Sequence, residues 1–118
     1  TVPILDEIVY PIIEIIPSKS LYDFECKYTP GMTKYFCPAK LNNDIESKIN
    51  EETKLLFHEF GCEVYARVDY IIGKNGMPYF LELNTLPGMT KTSLFPKSLN
   101  SAGMSFSSLI KKIIDLSL

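Results

Sequence analysis

Two stretches of alternating polarity, residues 63–72 and 77–84, carry the side chains best suited to chemistry. In a strand, residues two apart share a face. Arg67 and Asp69 therefore lie together on the first stretch, and Phe80, Glu82 and Asn84 on the second, with Tyr79, Leu81 and Leu83 turned the other way. The intervening Gly73-Lys74-Asn75-Gly76 contains Asn-Gly, a strong hairpin signal. A two-residue loop sets Asp69 opposite Glu82, and a four-residue loop sets Arg67 opposite Glu82. Either register gathers Arg67, Asp69, Glu82 and Asn84 on one face. A three-residue loop splits them unless a bulge restores the phase.

Two carboxylates facing each other across a ladder repel unless something positive lies between them. Asp, Glu and Asn offer hard oxygen donors, which suit Mg²⁺ or Mn²⁺ completed by phosphate oxygens and water. The competing reading is a solvated sheet face with Arg67 as a structural counter-ion. Arg67 is the only arginine beside eleven lysines. Its planar, two-pronged donor suits phosphate or carboxylate recognition in a way that lysine does not.

The second strand runs into Asn84-Thr85-Leu86-Pro87-Gly88-Met89-Thr90-Lys91-Thr92-Ser93. A strand, a glycine turn and a helix start in succession can offer backbone N–H groups, here at Gly88 and near Ser93, to an anion. An ordinary strand-to-helix loop with Ser93 as N-cap explains the same residues. Pro-Gly-Met-Thr-Lys also occurs at residues 30–34, but the flanks differ and no structural repeat follows. The one histidine, His58, has no second His or Cys at metal-ligand spacing and reads as a surface side chain.

The elements that must position these residues follow from the rest of the chain. Residues 1–5 and 8–16 read as strands joined by a tight turn at Asp6-Glu7, each with an edge or bulge at its proline, Pro3 or Pro11. Residues 18–42 form a long loop around a short strand at 33–37. Residues 44–60 read as a helix with Ile45, Ile49, Leu56 and Phe60 inward, Asn43 and Glu46 as a capping box, and Gly61 as its stop. A helix begins near Thr92 or Ser93 and ends by Gly103, with Pro96 tolerated only in its first turn. Another begins at Ser105 and turns Phe106, Leu109, Ile113 and Ile114 inward.

These elements suit an α+β fold: one domain over residues 1–118, a mostly antiparallel sheet, and helices packed on one face. With 118 residues, the chain suits one core. A net charge of -2 excludes a global basic field for nucleic acid, and no apolar run approaches a membrane span. Three cysteines without a CxxC pair fit a reducing, cytoplasmic setting. The sequence opens without Met in what reads as mid-strand, so a fragment of a longer protein is expected.

Asp23-Phe24-Glu25-Cys26-Lys27-Tyr28, Tyr65-Ala66-Arg67-Val68-Asp69, Leu81-Glu82-Leu83-Asn84-Thr85-Leu86-Pro87-Gly88-Met89-Thr90, Ser93-Leu94-Phe95-Pro96 and Ala102-Gly103-Met104-Ser105-Phe106 occur in that order. Together they closely resemble the C-terminal part of the bacterial D-alanine–D-alanine ligases of the ATP-grasp superfamily. The resemblance implies an ADP-forming reaction. ATP phosphorylates one D-alanine, the amine of a second D-alanine attacks the acyl phosphate, and the dipeptide serves peptidoglycan synthesis. It implies two Mg²⁺ or Mn²⁺ ions on Asp69, Glu82 and Asn84. Arg67 and the Gly88 N–H would stabilise the oxyanion, and Lys27 would contact the transferred phosphoryl group. Ser93 and Leu94 would bind the second D-alanine's carboxylate, and Leu81 and Ile71 would line the adenine pocket.

Tyr28, where D-lactate-forming relatives tend to carry Phe, favours the dipeptide and would order the lid of residues 18–32. Cys26 stands where relatives often have Ala, and Lys91-Thr92 replaces the more usual Ser-His. Members of this family are roughly three times as long and commonly dimeric. The phosphate loop, the adenosine hinge and the first D-alanine's ammonium site have no counterpart here, so this chain alone is expected to be inactive. The alternatives are another ATP-grasp carboxylate–amine ligase, or a metal- or nucleotide-binding fragment without turnover.

Overall fold

A computed structural model describes residues 1–17 and 33–118. The expected roles of Lys27, Tyr28 and Cys26, and the expected lid at 18–32, fall outside the described residues. The elements run β1 (Val2–Leu5), β2 (Ile8–Val9), β3 (Glu14–Pro17), β4 (Thr33–Phe36), α1 (Asn43–Glu59), β5 (Tyr65–Ile72), β6 (Pro78–Asn84), α2 (Leu94–Ser101) and α3 (Phe106–Ser117). Four strands form an antiparallel sheet in the order β2-β1-β5-β6, and β3 and β4 form a separate two-stranded ladder.

The prolines set the strand limits. Pro3 accepts a hydrogen bond from the Tyr10 N–H at 2.9 Å but has no N–H to return, so the β1–β2 ladder ends there. The strand expected over 8–16 divides around Pro11, whose carbonyl accepts from the fully buried Ser98 hydroxyl. The turn between β1 and β2 holds Asp6 and Glu7 at φ 52° and 63°, the left-handed pair that a two-residue hairpin needs.

Helix α1 is capped by Asn42, one residue before the expected Asn43, with its Oδ1 accepting from the Ile45 N–H at 2.9 Å. Asp44 and Glu46 sit at the positive end of the helix, and Gly61 closes it at φ +70°. Its buried residues are Ile49, Thr53 and Phe57, while the expected Phe60 is 61% exposed. The inward stripe ends at Phe57, three residues earlier than the spacing suggests, and Phe60 is the C-cap. Helix α3 buries Leu109 and packs Ile113, but Ile114 is exposed.

Strand alternation decides what each helix covers. Val2, Ile4, Ala66, Tyr70 and Leu83 belong to the clusters built around Ile49 and Phe57 of α1. Leu5 and Tyr65, on the opposite face, pack with Phe95, Leu99 and Leu109 of α2 and α3. The mixed fold and antiparallel sheet are as expected, but the helices cover both faces rather than one. Helices α2 and α3 cover only the Leu5–Tyr65 end of the second face, with Tyr65 edge-on to Phe95 at 5.7 Å. Burying a side chain the size of Phe57 or Phe95 contributes about 1.5–3 kcal/mol.

Buried Thr53 on α1 meets Tyr70 on β5 through hydroxyls 3.0 Å apart. Burial pushes the Tyr70 phenol up to about 12; the Thr53 bond opposes the shift and the Glu52 charge adds to it. The fold thus favours the neutral phenol. That contribution is intact below the ordinary value of 10.0 and is lost as pH rises towards about 12. A spectrophotometric phenolate titration should show a late component in the wild type that is lost in Tyr70→Phe. The wild type should also lose stability relative to that variant across the same interval.

Candidate functional site

The β5–β6 register brings the four expected polar side chains together by a less direct route than a two-residue turn. Ile72 pairs with Pro78, Ile71 with Tyr79 and Tyr70 with Phe80, then Asp69 with Glu82, Val68 with Leu83 and Arg67 with Asn84. The Gly76 N–H donates to the Gly73 carbonyl at 2.9 Å, and Gly73 N–H to Met77 O at 2.9 Å, leaving Lys74, Asn75 and Gly76 as a three-residue loop. Gly76 takes φ +78°, as such a loop requires. That loop alone would set Asp69 opposite Leu81. The ladder slips between Asp69 and Tyr70, and Leu81 is the residue left without a partner. The bulge restores Glu82 and Asn84 to the face of Asp69 and Arg67.

The same bulge corrects two side assignments. Phe80 joins Tyr70 on the α1 side, their rings 6.3 Å apart, and does not share a face with Glu82. Strict alternation therefore no longer fixes Leu81 opposite Glu82. Leu81 is 57% exposed and Ile71 53% exposed, so neither is a core residue. Tyr79, expected on the other side, pairs with Ile71 beyond Asp69, and the two extend the face with exposed apolar surface.

Arg67 grips Asp69 with both prongs: Nε donates to Oδ1 and a terminal nitrogen to Oδ2, each at 3.0 Å. The Thr1 hydroxyl also donates to Oδ1. Burial pushes the Asp69 carboxyl up, but these bonds and the positive charges of Arg67 and the amino terminus outweigh it. The carboxyl therefore lies below the ordinary value of 3.8. Glu82 is exposed and has no hydrogen-bond or ion-pair partner among the described residues. Asn84 Oδ1 accepts from the Leu86 N–H at 2.9 Å, which bends the chain out of β6 towards Pro87 and Gly88.

No group of three His, Cys, Asp or Glu able to hold a metal occurs among the described residues. What the face offers is two carboxylates and one amide oxygen. That donor set fits a hard divalent cation completed by phosphate oxygens and water, not a closed all-protein site.

The strand-to-helix loop folds back on itself. A Cβ on Gly88 would lie 3.0 Å from Ser93 Oγ, so the Gly88 backbone and the Ser93 side chain are immediate neighbours. Ser93 is the N-cap of α2, as expected, but its side chain makes no capping bond. It receives the Thr90 N–H at 3.0 Å and lies 2.7 Å from Thr90 Oγ1. Leu94 opens the helix, and Pro96 falls within its first turn as anticipated. Thr1 and Thr90, both bonded to expected site residues, carried no sequence signal that singled them out.

The antiparallel sheet and helices form the C-terminal part of an ATP-grasp fold. The family described as D-ala D-ala ligase C-terminus matches residues 1–115, and the chain belongs to that family. A D-alanine--D-alanine ligase of Methylacidiphilum infernorum is 47% identical over 117 residues, covering 99% of this chain and 39% of that protein. One from Desulforamulus reducens is 48% identical over 108 residues, covering 92% and 34%. The chain thus spans little more than a third of these curated relatives. The crystal structure of D-alanine--D-alanine ligase from Bacillus anthracis complexed with ATP superimposes with a TM-score of 0.82 at 36% identity. It covers 98% of this chain and 38% of that one. VanG D-Ala:D-Ser ligase from Enterococcus faecalis gives 0.77 at 30% identity, covering 99% and 35%.

Removing the two-pronged donor while keeping its bulk isolates what Arg67 does for Asp69. In Arg67→Met the Asp69 carboxyl should titrate at higher pH, because burial then acts without its main opponent. A carbon-13 NMR titration of that carboxyl reads the shift. In the wild type this pair's contribution to stability is present above pH 3.8 and is lost as pH falls through the lower folded value. Acid unfolding of the variant should lack that dependence.

Proposed function

We propose that this chain is the single C-terminal domain of an ADP-forming D-alanine–D-alanine ligase, working in the cytoplasm to supply the dipeptide for peptidoglycan. The observation that carries the reading is the pairing of Asp69 with Glu82, flanked by Arg67 and Asn84, on a strand that leads directly to Gly88 and Ser93. Family membership supports it. ATP phosphorylates the carboxylate of one D-alanine, and the amine of a second displaces the phosphate.

Asp69, Glu82 and Asn84 would hold two Mg²⁺ or Mn²⁺ ions, which when bound neutralise charge on the phosphate oxygens. Arg67 is already positioned by Asp69. Its guanidinium and the Gly88 N–H would receive the developing oxyanion; losing one such donor costs about 2.7–4 kcal/mol. Ser93 and the Leu94 N–H, at the start of α2, would receive the carboxylate of the second D-alanine. Leu81 and Ile71 present exposed apolar surface on which an adenine could rest. Lys27 and Tyr28, outside the described residues, would close over the transferred phosphoryl group and exclude water.

The site is divided between this chain and the larger part of the relatives' length, so the isolated chain should not turn over. A full-length polypeptide carrying this sequence should convert ATP and D-alanine to ADP and D-alanyl-D-alanine. Glu82→Gln should lower that rate on the order of 100-fold. D-serine offered in competition tests the likeness to the D-Ala:D-Ser ligase. Incorporation of D-serine in preference to D-alanine, or no ADP formed with either, would overturn the reading. Turnover by the 118-residue chain alone would overturn the divided site.

A further inference from the structure

Among the described residues three helices begin with a side chain that ordinarily caps the helix, and one of them does not cap. Asn42 accepts from Ile45 N–H at 2.9 Å and Ser105 from Ser108 N–H at 3.1 Å, each three residues on. The equivalent donor for Ser93 would come from residue 96, which is proline and has no N–H. The Ser93 hydroxyl turns instead to Thr90. It accepts the Thr90 N–H at 3.0 Å and lies 2.7 Å from the Thr90 hydroxyl, while the Ser93 N–H donates to the Thr90 carbonyl at 3.0 Å. The Thr92 hydroxyl lies 3.4 Å from that of Thr90 and can supply it with a proton.

A hydroxyl has two acceptor positions and one proton. If the Thr90 N–H fills one acceptor position of Ser93 and the Thr90 O–H the other, the Ser93 proton has no use inside the loop. It must be donated outward. The geometry points to Thr90 as the positioning residue that makes Ser93 an obligate donor, and so selects a carboxylate, which accepts only, at the start of α2. Pro96 contributes by withholding the bond that would draw Ser93 into the helix. This inference rests on the ligase reading above, in which Ser93 meets the second D-alanine. Thr90 itself need not touch the substrate.

The test uses the full-length polypeptide with ATP and D-alanine, and compares Thr90→Val, Thr90→Ser, Ser93→Ala and the Thr90→Val/Ser93→Ala double variant. Valine keeps the backbone N–H and the shape but removes the hydroxyl. Thr90→Val should raise the KM for the second D-alanine about tenfold, while kcat and the KM for ATP stay within about twofold. Thr90→Ser should restore the wild-type KM, and the double variant should lose no more than Ser93→Ala alone. A purely structural role predicts instead that Thr90→Val lowers the thermal midpoint and raises both KM values together. That result, additive losses in the double variant, or an unchanged KM in a well-folded Thr90→Val would overturn the inference and leave the ligase reading intact. A wild-type protein that makes no ADP with D-alanine would overturn both.

Discussion

Two like charges held opposite each other on neighbouring strands are the constraint around which this sheet is arranged. Asp69 and Glu82 form a cross-strand pair, a placement that costs stability unless positive charge intervenes. The fold meets half of that demand itself. Arg67, two residues before Asp69 on the same strand, takes both oxygens of its carboxylate and leaves Glu82 open. The result is a face with one carboxylate balanced by Arg67 and one, Glu82, exposed and without an ion-pair partner among the described residues.

That face is graded along the strands. At one end Leu5 and Tyr65 lie under Phe95, Leu99 and Leu109, which fixes the sheet against α2 and α3. In the middle stand Arg67, Asp69, Glu82 and Asn84, and at the far end Ile71 and Tyr79 are exposed. Helices α2 and α3 pack over the first end through Phe95, Leu99 and Leu109. Packing on both faces, which composition did not disclose, fixes α2 against the same side of the sheet that carries the carboxylates.

The polar constellation was legible in the sequence because strand alternation is a strict rule: residues two apart share a face, and Asn-Gly marks the turn. The route was less legible. The three-residue turn and the unpaired Leu81 cancel, and nothing in Leu81 itself marks it as a bulge. The sides of Tyr79 and Phe80 were misread for that reason. Helix ends shifted by a residue, as at Asn42, because adjacent asparagines serve equally well as caps on paper. The short strands around Pro11 were clear as a break but not as two ladders, since the pairing of β3 with β4 spans fifteen intervening positions at its closest. Hydroxyl contacts such as Thr1 with Asp69 arise between distant positions, and no local pattern records them.

The bulge at Leu81 has a consequence for how this hairpin can change length. Which face Glu82 occupies depends on a parity: the number of residues in the turn plus the number of bulges in the ladder must be even. Gaining or losing a single residue at Lys74–Gly76 therefore exchanges the two faces of β6 along its whole length, unless a bulge appears or disappears with it. Changes by two residues keep the parity. The turn, though exposed and far from the carboxylates, is thereby bound to them by arithmetic rather than by contact. Drift in its length is filtered by evenness, whatever amino acids it contains.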